Sequence, residues 1–384
     1  MSFEDSAEYI AKAKNLFTIG AAFTTNTSKG HDFFDISTHT LAALNTRTTG
    51  YSFLDKSLNG GYSNKTLVVL MGGPKTGKSM WLCNLAAQSV KNGYNTLYIT
   101  LELPYQKVSQ RIGANMFNIP MAQYNETVKD NNLFAKKVQE FRTNQLGKLG
   151  TFILEKFPTS TATAEMIEAF AIKKQEEISA LTGKDFKFDN VYIDYLNIMR
   201  DMKNPNSENT YLKIKSICED VRAMAQRNEW CVISVTQTNR GGTESSDLNM
   251  TDVSESAGLT ATVDALFGII RTTMMRAEGC YYLKAVAMRD SPLMGCKKRY
   301  TFNDTYLRLA EDLTEEIIAD GVDIPSIYVS ATANGVAKYQ QNNRGYNNQT
   351  PQQPAPIQQG TSLIQTPQLG ISESQLTGAD LFKM

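Results

Sequence analysis

The eight residues GGPKTGKS, positions 72–79, constrain the fold more than any other stretch of this 384-residue chain. They match G-x-x-x-x-G-K-[ST] and lie between an apolar run, KTLVVLM (65–71), and a segment of helical length, 78–92. In that strand–loop–helix context the spacing cradles phosphate. Gly72 and Gly77 let the backbone wrap so that successive N–H groups point inward, and the helix N-terminus adds partial positive charge. Gly73, Pro74, Lys75 and Thr76 complete the loop. Lys78 is then expected to reach the β- and γ-phosphates of a bound nucleotide, and Ser79 to hold Mg²⁺.

A strand that runs straight into a helix starts an α/β pattern, and the chain continues it. Apolar strand candidates recur at 65–71, 95–101, 151–157, 190–196 and 231–237, with helix-length segments at 78–92, 105–117, 160–180 and 209–228 between them. Such alternation predicts a mostly parallel central sheet with helices on both faces. Three further candidates, 265–271, 280–288 and 298–303, follow without room for helices and are expected to add antiparallel strands at one edge.

Strand ends then supply candidate chemistry. VYIDYL ends an apolar run on Asp194, the carboxylate expected to steady the Mg²⁺ site. The residue after it is Tyr195, so the acid that activates water must come from elsewhere. YITLELP offers Glu102 at the end of the second strand. Alone it reads as an exposed turn residue. If the strands at 65–71 and 95–101 end on one edge, it lies near the γ-phosphate as the group that orients or deprotonates water. Gln237, in VTQTNR, is placed to feel the presence or loss of that phosphate; the alternative is an ordinary polar strand end.

Lys plus Arg equals Asp plus Glu, 39 each, so bulk charge announces neither a nucleic-acid nor a membrane partner. Any DNA contact falls to local loops or to several converging copies. Five cysteines without a CxxC pair, and only His31 and His39 beside them, argue against zinc. The odd cysteine count and the lack of a leader fit a reducing cytoplasm. No apolar run approaches the roughly 18 residues of a membrane span.

Together, TGYSFLDKSLNGGYSNKTLVVLMGGPKTGKS, YITLELP, IDYLNIM, VTQTNR and MTDVSESAGLTATVDALFGII resemble the replicative ring helicases of the DnaB type. SENTYLKIKSICEDVRAMA and SESAGLTATVD are most similar to the branch found in T-even-type tailed phages. The resemblance covers about residues 48–303. It implies a RecA-like P-loop ATPase core, 48–315, that works as a homo-hexamer encircling single-stranded DNA. It implies two pore loops, at about 200–209 and 240–257, with Lys203, Arg240, Ser254, Glu255 and Ser256 as DNA-contacting candidates. It also places Arg289 in the neighbouring subunit's ATP site, where such a finger is worth about 10³-fold or more. The sequence departs from the family's K-x-R pattern, with Ala287 where the lysine stands and Lys284 three residues earlier. Ser254 precedes Glu255 where the bacterial type has Arg. An ATPase that forms filaments like a recombinase, or a loading factor, shares the same ATP site and stays open as an alternative.

The ends read differently. Residues 2–19 have helical apolar spacing (Phe3, Ala7, Ile10, Ala13, Phe17) and are expected to form a linker helix, followed by a linker over 21–47. These residues are too few for the family's N-terminal collar. After an extension at 316–334, the Gln/Asn/Pro-rich stretch 335–370 is expected to be disordered. The apolar residues Leu376, Leu381, Phe382 and Met384 make 371–384 a candidate docking peptide for a primase, a helicase loader or another replisome protein.

Overall fold

Alternating side chains along β1 (Thr66–Gly72) divide the core into two layers. Val68 and Leu70 point into one apolar cluster, Leu67, Val69 and Met71 into another. The computed structural model describes residues 34, 46–145, 147–204, 207, 209–237, 257–289, 291 and 293–319. The expected linker helix, the 316–334 extension beyond 319, the Gln/Asn-rich stretch and the C-terminal peptide lie outside those residues.

Among the described residues ten strands form one sheet, with β1 at its centre. On one side follow β5 (Cys231–Gln237), β4 (Asn190–Asp194), β2 (Thr96–Thr100) and β3 (Phe152–Lys156), all parallel. On the other side lie β6 (Ala265–Ile270), β7 (Cys280–Met288), β8 (Cys296–Asn303) and β10 (Ile318–Ala319), with β9 (Arg308–Glu311) paired to β8. The expectation that every late strand is antiparallel needs one correction. β6 runs parallel to β1, and the antiparallel series begins with β7. The span from 238 to 264 is long enough for a crossover, which a parallel neighbour requires. β10 carries the sheet to Ala319, past the expected boundary at 315.

Helices cover both faces. Against one face pack α1 (Ser52–Ser57), α2 (Lys78–Lys91) and α3 (Tyr105–Met116), through Phe53, Leu82, Leu85, Val108 and Ile112. Against the other pack α6 (Ala164–Thr182), α7 (Thr210–Asn228) and α8 (Ala257–Thr262), through Ile167, Ile217, Val221 and Leu259. Full burial of each such aliphatic side chain stabilises the fold by about 1.5–3 kcal/mol. Capping sets the helix starts. Thr163 accepts from Met166 N and begins α6 later than the start of the expected helix-length segment at 160, and Asn209 accepts from Tyr211 N and Leu212 N at the head of α7.

Two helices, α4 (Tyr124–Lys129) and α5 (Asn131–Asn144), were not expected from the sequence. Only Tyr124 and Phe141 are buried along them, too few to print an apolar period. Below the phosphate loop, Trp81 of α2 stands edge-on to Tyr300 (ring centroids 4.7 Å apart) and to Tyr281 (6.1 Å). This aromatic cluster ties the first turns of α2 to β7 and β8. Among the described residues, no helix is long and apolar enough to cross a membrane.

Candidate nucleotide site

The parallel strands β1, β2, β4 and β5 end on one edge, and that edge carries the candidate site. The register sets Gly72 opposite Gln237 and Thr100 opposite Asp194. Leu101 N donates to Asp194 O at 2.8 Å, so Glu102 follows directly past the end of the paired region. Loops beyond the carboxyl ends of parallel strands are where α/β sheets bind ligands. A cleft of about 420 Å³ opens there, lined by Pro74, Lys75, Gly77, Lys78, Ser79, Glu102, Asp194 and Gln237. The structure therefore brings the expected loop, both acids and the glutamine to one space.

The loop's shape depends on its glycines. Gly77 has φ 95°, and a Cβ there would stand 2.6 Å from the Tyr281 hydroxyl. A Cβ on Gly72 would meet Thr76 Oγ1 at 2.7 Å, the atom that donates to Gly73 O at 2.9 Å. Lys78 Nζ donates to the carbonyls of Gly72 (3.2 Å) and Gly73 (2.8 Å), lying back along the loop. Burial pushes Lys78 down to about 8, against the opposing pull of Asp194 and Glu102.

Ser79 Oγ donates to Asp194 Oδ1 at 3.1 Å, and Tyr98 OH donates to Asp194 Oδ2 at 3.1 Å. Asp194 is buried, and burial pushes it up to about 6 despite those two hydrogen bonds; the charge of Glu102 adds to the rise. A buried carboxylate whose ionised form is disfavoured is primed to accept a cation. One hydroxyl and one carboxylate at hydrogen-bond distance also fit what Mg²⁺ takes from a protein beside substrate phosphates.

Several neighbours were not singled out by the sequence. Tyr98 is a buried strand residue, legible only as core. Arg111 of α3 lines the cleft, brought there by the packing of Val108 and Ile112 beside it. Asn197 Oδ1 accepts from Gln237 N (3.1 Å) and Thr236 Oγ1 (2.9 Å), fixing the end of β5. Arg276, on the short helix α9 (Thr273–Ala277), donates from Nη2 to Lys75 O at 2.8 Å and braces the loop from outside.

Arg289 lies elsewhere. Its N–H donates to Asp264 O, and Asp264 N donates to Leu67 O, near the start of β1. At about 3.3 Å per residue, that is about 16 Å along the strand from Gly72. Its side chain, 44% exposed, faces Asp264 and the carbonyls of Ala261, Thr262 and Val263. Ala287 pairs with Leu266, and Lys284, buried in mid-strand, pairs with Gly268.

Of the loop residues, Lys203 is described. Its Nζ lies 2.6 Å from Asp220 and 3.9 Å from Glu219, and the bond to Asp220 holds its pKa above the usual lysine value. Asp201 pins the loop onto α7, accepting from Lys203 N (2.9 Å), Asn204 N (3.1 Å) and Ser216 Oγ (2.8 Å). Arg240, Ser254, Glu255 and Ser256 lie outside the described residues.

Comparison with known proteins gives this geometry a family. The DnaB-like replicative helicase of Enterobacteria phage T4 is 30% identical over 269 residues, 68% of this chain and 54% of the relative. The replicative DNA helicase DnaB of Buchnera aphidicola is 25% identical over 269 residues, 68% of this chain and 55% of the relative. The chain thus spans about half the length of the curated relatives it matches. Among solved structures, one described as a DnaB-like replicative helicase and its interactions with primase shares the fold. Its TM-score is 0.59 at 18% identity, covering 79% of this chain and 74% of that one. The family of DnaB-like helicase C-terminal domains matches residues 47–299, and the chain belongs to it.

Proposed function

We propose that this chain is the motor of an ATP-dependent replicative DNA helicase, a homo-hexameric ring that moves along single-stranded DNA and unwinds duplex at the fork. The observation that carries the reading is the cleft, in a chain of this family, lined by the phosphate loop, Asp194, Glu102 and Gln237.

On this reading the loop N–H groups receive the phosphates, and Lys78 turns from the Gly72 and Gly73 carbonyls to the β- and γ-oxygens. Ser79 and Asp194 would hold magnesium bound with the triphosphate, which would supply positive charge beside the phosphates. Glu102 orients the attacking water and takes its proton. Gln237 contacts the γ-phosphate, and its loss is felt at the end of β5. Arg289 cannot serve its own cleft from the opposite edge of the sheet, and acts at the site of an adjacent subunit. Single-stranded DNA then runs past loops 200–209 and 240–257, where Lys203, Arg240, Ser254, Glu255 and Ser256 and the loop amides meet phosphates without sequence preference. The peptide 371–384 is proposed to dock a primase, a loader or another replisome protein; a solved neighbour is described with primase.

A strand-displacement assay on forked DNA with either a 5′ or a 3′ single-stranded tail tests the reading. The expected result is ATP-dependent unwinding from one tail polarity, by a species with the mass of six subunits. Hydrolysis without displacement on either fork, or a nucleotide-bound mass that grows without closing, would show a different kind of ATPase.

A further inference from the structure

We infer that Arg222 is a positioning residue for Arg289, acting through Asp264; the inference rests on the reading above that Arg289 works at a neighbouring subunit's ATP. Arg222, on α7, meets the Asp264 carboxylate with a two-pronged grip. Its Nη2 donates to Oδ1 at 2.8 Å and its Nε to Oδ2 at 3.1 Å. Oδ2 also accepts from Leu67 N at 2.9 Å, which fixes the carboxylate against β1. Arg289 approaches the same carboxylate from the side, its Nε 3.4 Å from Oδ1. Fork-on-carboxylate pairing is the strongest arrangement these groups have, and Arg222 holds it.

What Arg289 receives is weaker and directional. Nε donates to Val263 O (3.2 Å), and Nη2 to Ala261 O (3.3 Å) and Thr262 O (3.4 Å), carbonyls at the end of α8 that no further helical turn takes up. Nη1 has no hydrogen bond among the described residues, and it is the donor left to an incoming oxygen. Asp264 thus orients Arg289 without capturing it, because Arg222 occupies its better face. Take Arg222 away, and the carboxylate keeps Arg289 as its remaining arginine. Arg289 then rotates into the two-pronged grip and withdraws from the subunit surface.

The test is steady-state ATPase of the assembled protein at saturating single-stranded DNA, in two backgrounds. Arg222→Gln is expected to lower kcat about tenfold with KM for ATP nearly unchanged, as a small misplacement of a reacting group does. Arg222→Lys keeps the charge but loses the fork, and falls in between. In the Arg289→Ala background, Arg222→Gln is expected to add no further loss, since it acts only through Arg289. If Arg222→Gln does not fold, Arg222→Lys carries the same two-background comparison. Unchanged kcat, or an equal fall in both backgrounds, overturns the inference. A separate result, normal kcat in Arg289→Ala itself, would instead remove the trans role of Arg289.

Discussion

The Ser79 hydroxyl donates to the Asp194 carboxylate at 3.1 Å, closing a separation of 115 residues between the first turn of α2 and the last residue of β4. The contact brings the end of the phosphate loop to a buried acid. It also explains why that acid is tolerated in the core: its two oxygens are taken by Ser79 and Tyr98, and it is proposed to meet a cation when nucleotide binds.

Asp194 therefore costs stability in the nucleotide-free protein. Its pKa rises on folding from 3.8 to about 6. An acid whose pKa is raised by folding favours the folded state below about pH 4 and loses that contribution as pH rises through 6. At pH 8 the penalty has a ceiling of about 3 kcal/mol. Asp194→Asn is expected to melt at a higher temperature than wild type at pH 8, with a smaller gain at pH 5, and to lose the stabilisation that magnesium–ATP gives wild type. A lower melting temperature for the variant at pH 8 would mean the buried charge is compensated within the protein.

Lys78 gives a pH dependence of the same origin, burial, with the shift in the opposite direction. Burial lowers it to about 8, so in the free protein its positive charge is present below pH 8 and lost above it. ATP binding should take up a proton above pH 8, and the dissociation constant should rise by up to about tenfold per pH unit there. Isothermal titration in buffers of different ionisation enthalpy measures that proton. Lys78→Arg should flatten the profile; a steep profile in the variant would assign the proton to another group.

Arg289 should act in mixtures as a subunit-interface residue. Arg289→Ala subunits titrated into wild type are expected to lower ATPase more than in proportion to their fraction. A straight line against that fraction would mean each subunit works alone.

Lys203 should contribute to DNA more than to folding. Its half-exposed pair with Asp220 is worth about 1 kcal/mol or less. Lys203→Ala is expected to keep the melting temperature close to wild type and to lower the salt dependence of single-stranded DNA binding by about one ion. An unchanged slope would confine Lys203 to its pair with Asp220.

Much of the site was legible because strand ends and motif spacing are local. GGPKTGKS, Asp194, Glu102 and Gln237 each follow an apolar run, and parallel pairing brings runs that end together to one edge. What was not legible depends on packing between distant segments. Arg111 carries no local pattern, Asn197 sits in IDYLNIM but only its hydrogen bonds to Thr236 and Gln237 show what it does, and α5 buries too little to show a period. The sense of β6 carries no local signal, because it is set by pairing with β1, a strand almost 200 residues earlier. The latch of Arg222, Asp264 and Arg289 joins three separate elements, and no one segment announces it.

Glu102 is proposed to be the group that activates water, and Glu102→Gln tests that role with little change of shape. ATP affinity, measured by equilibrium titration, should stay within about threefold of wild type, while single-turnover hydrolysis should fall by about 10²-fold or more. Hydrolysis at the wild-type rate with intact binding would contradict a water-activating role for Glu102.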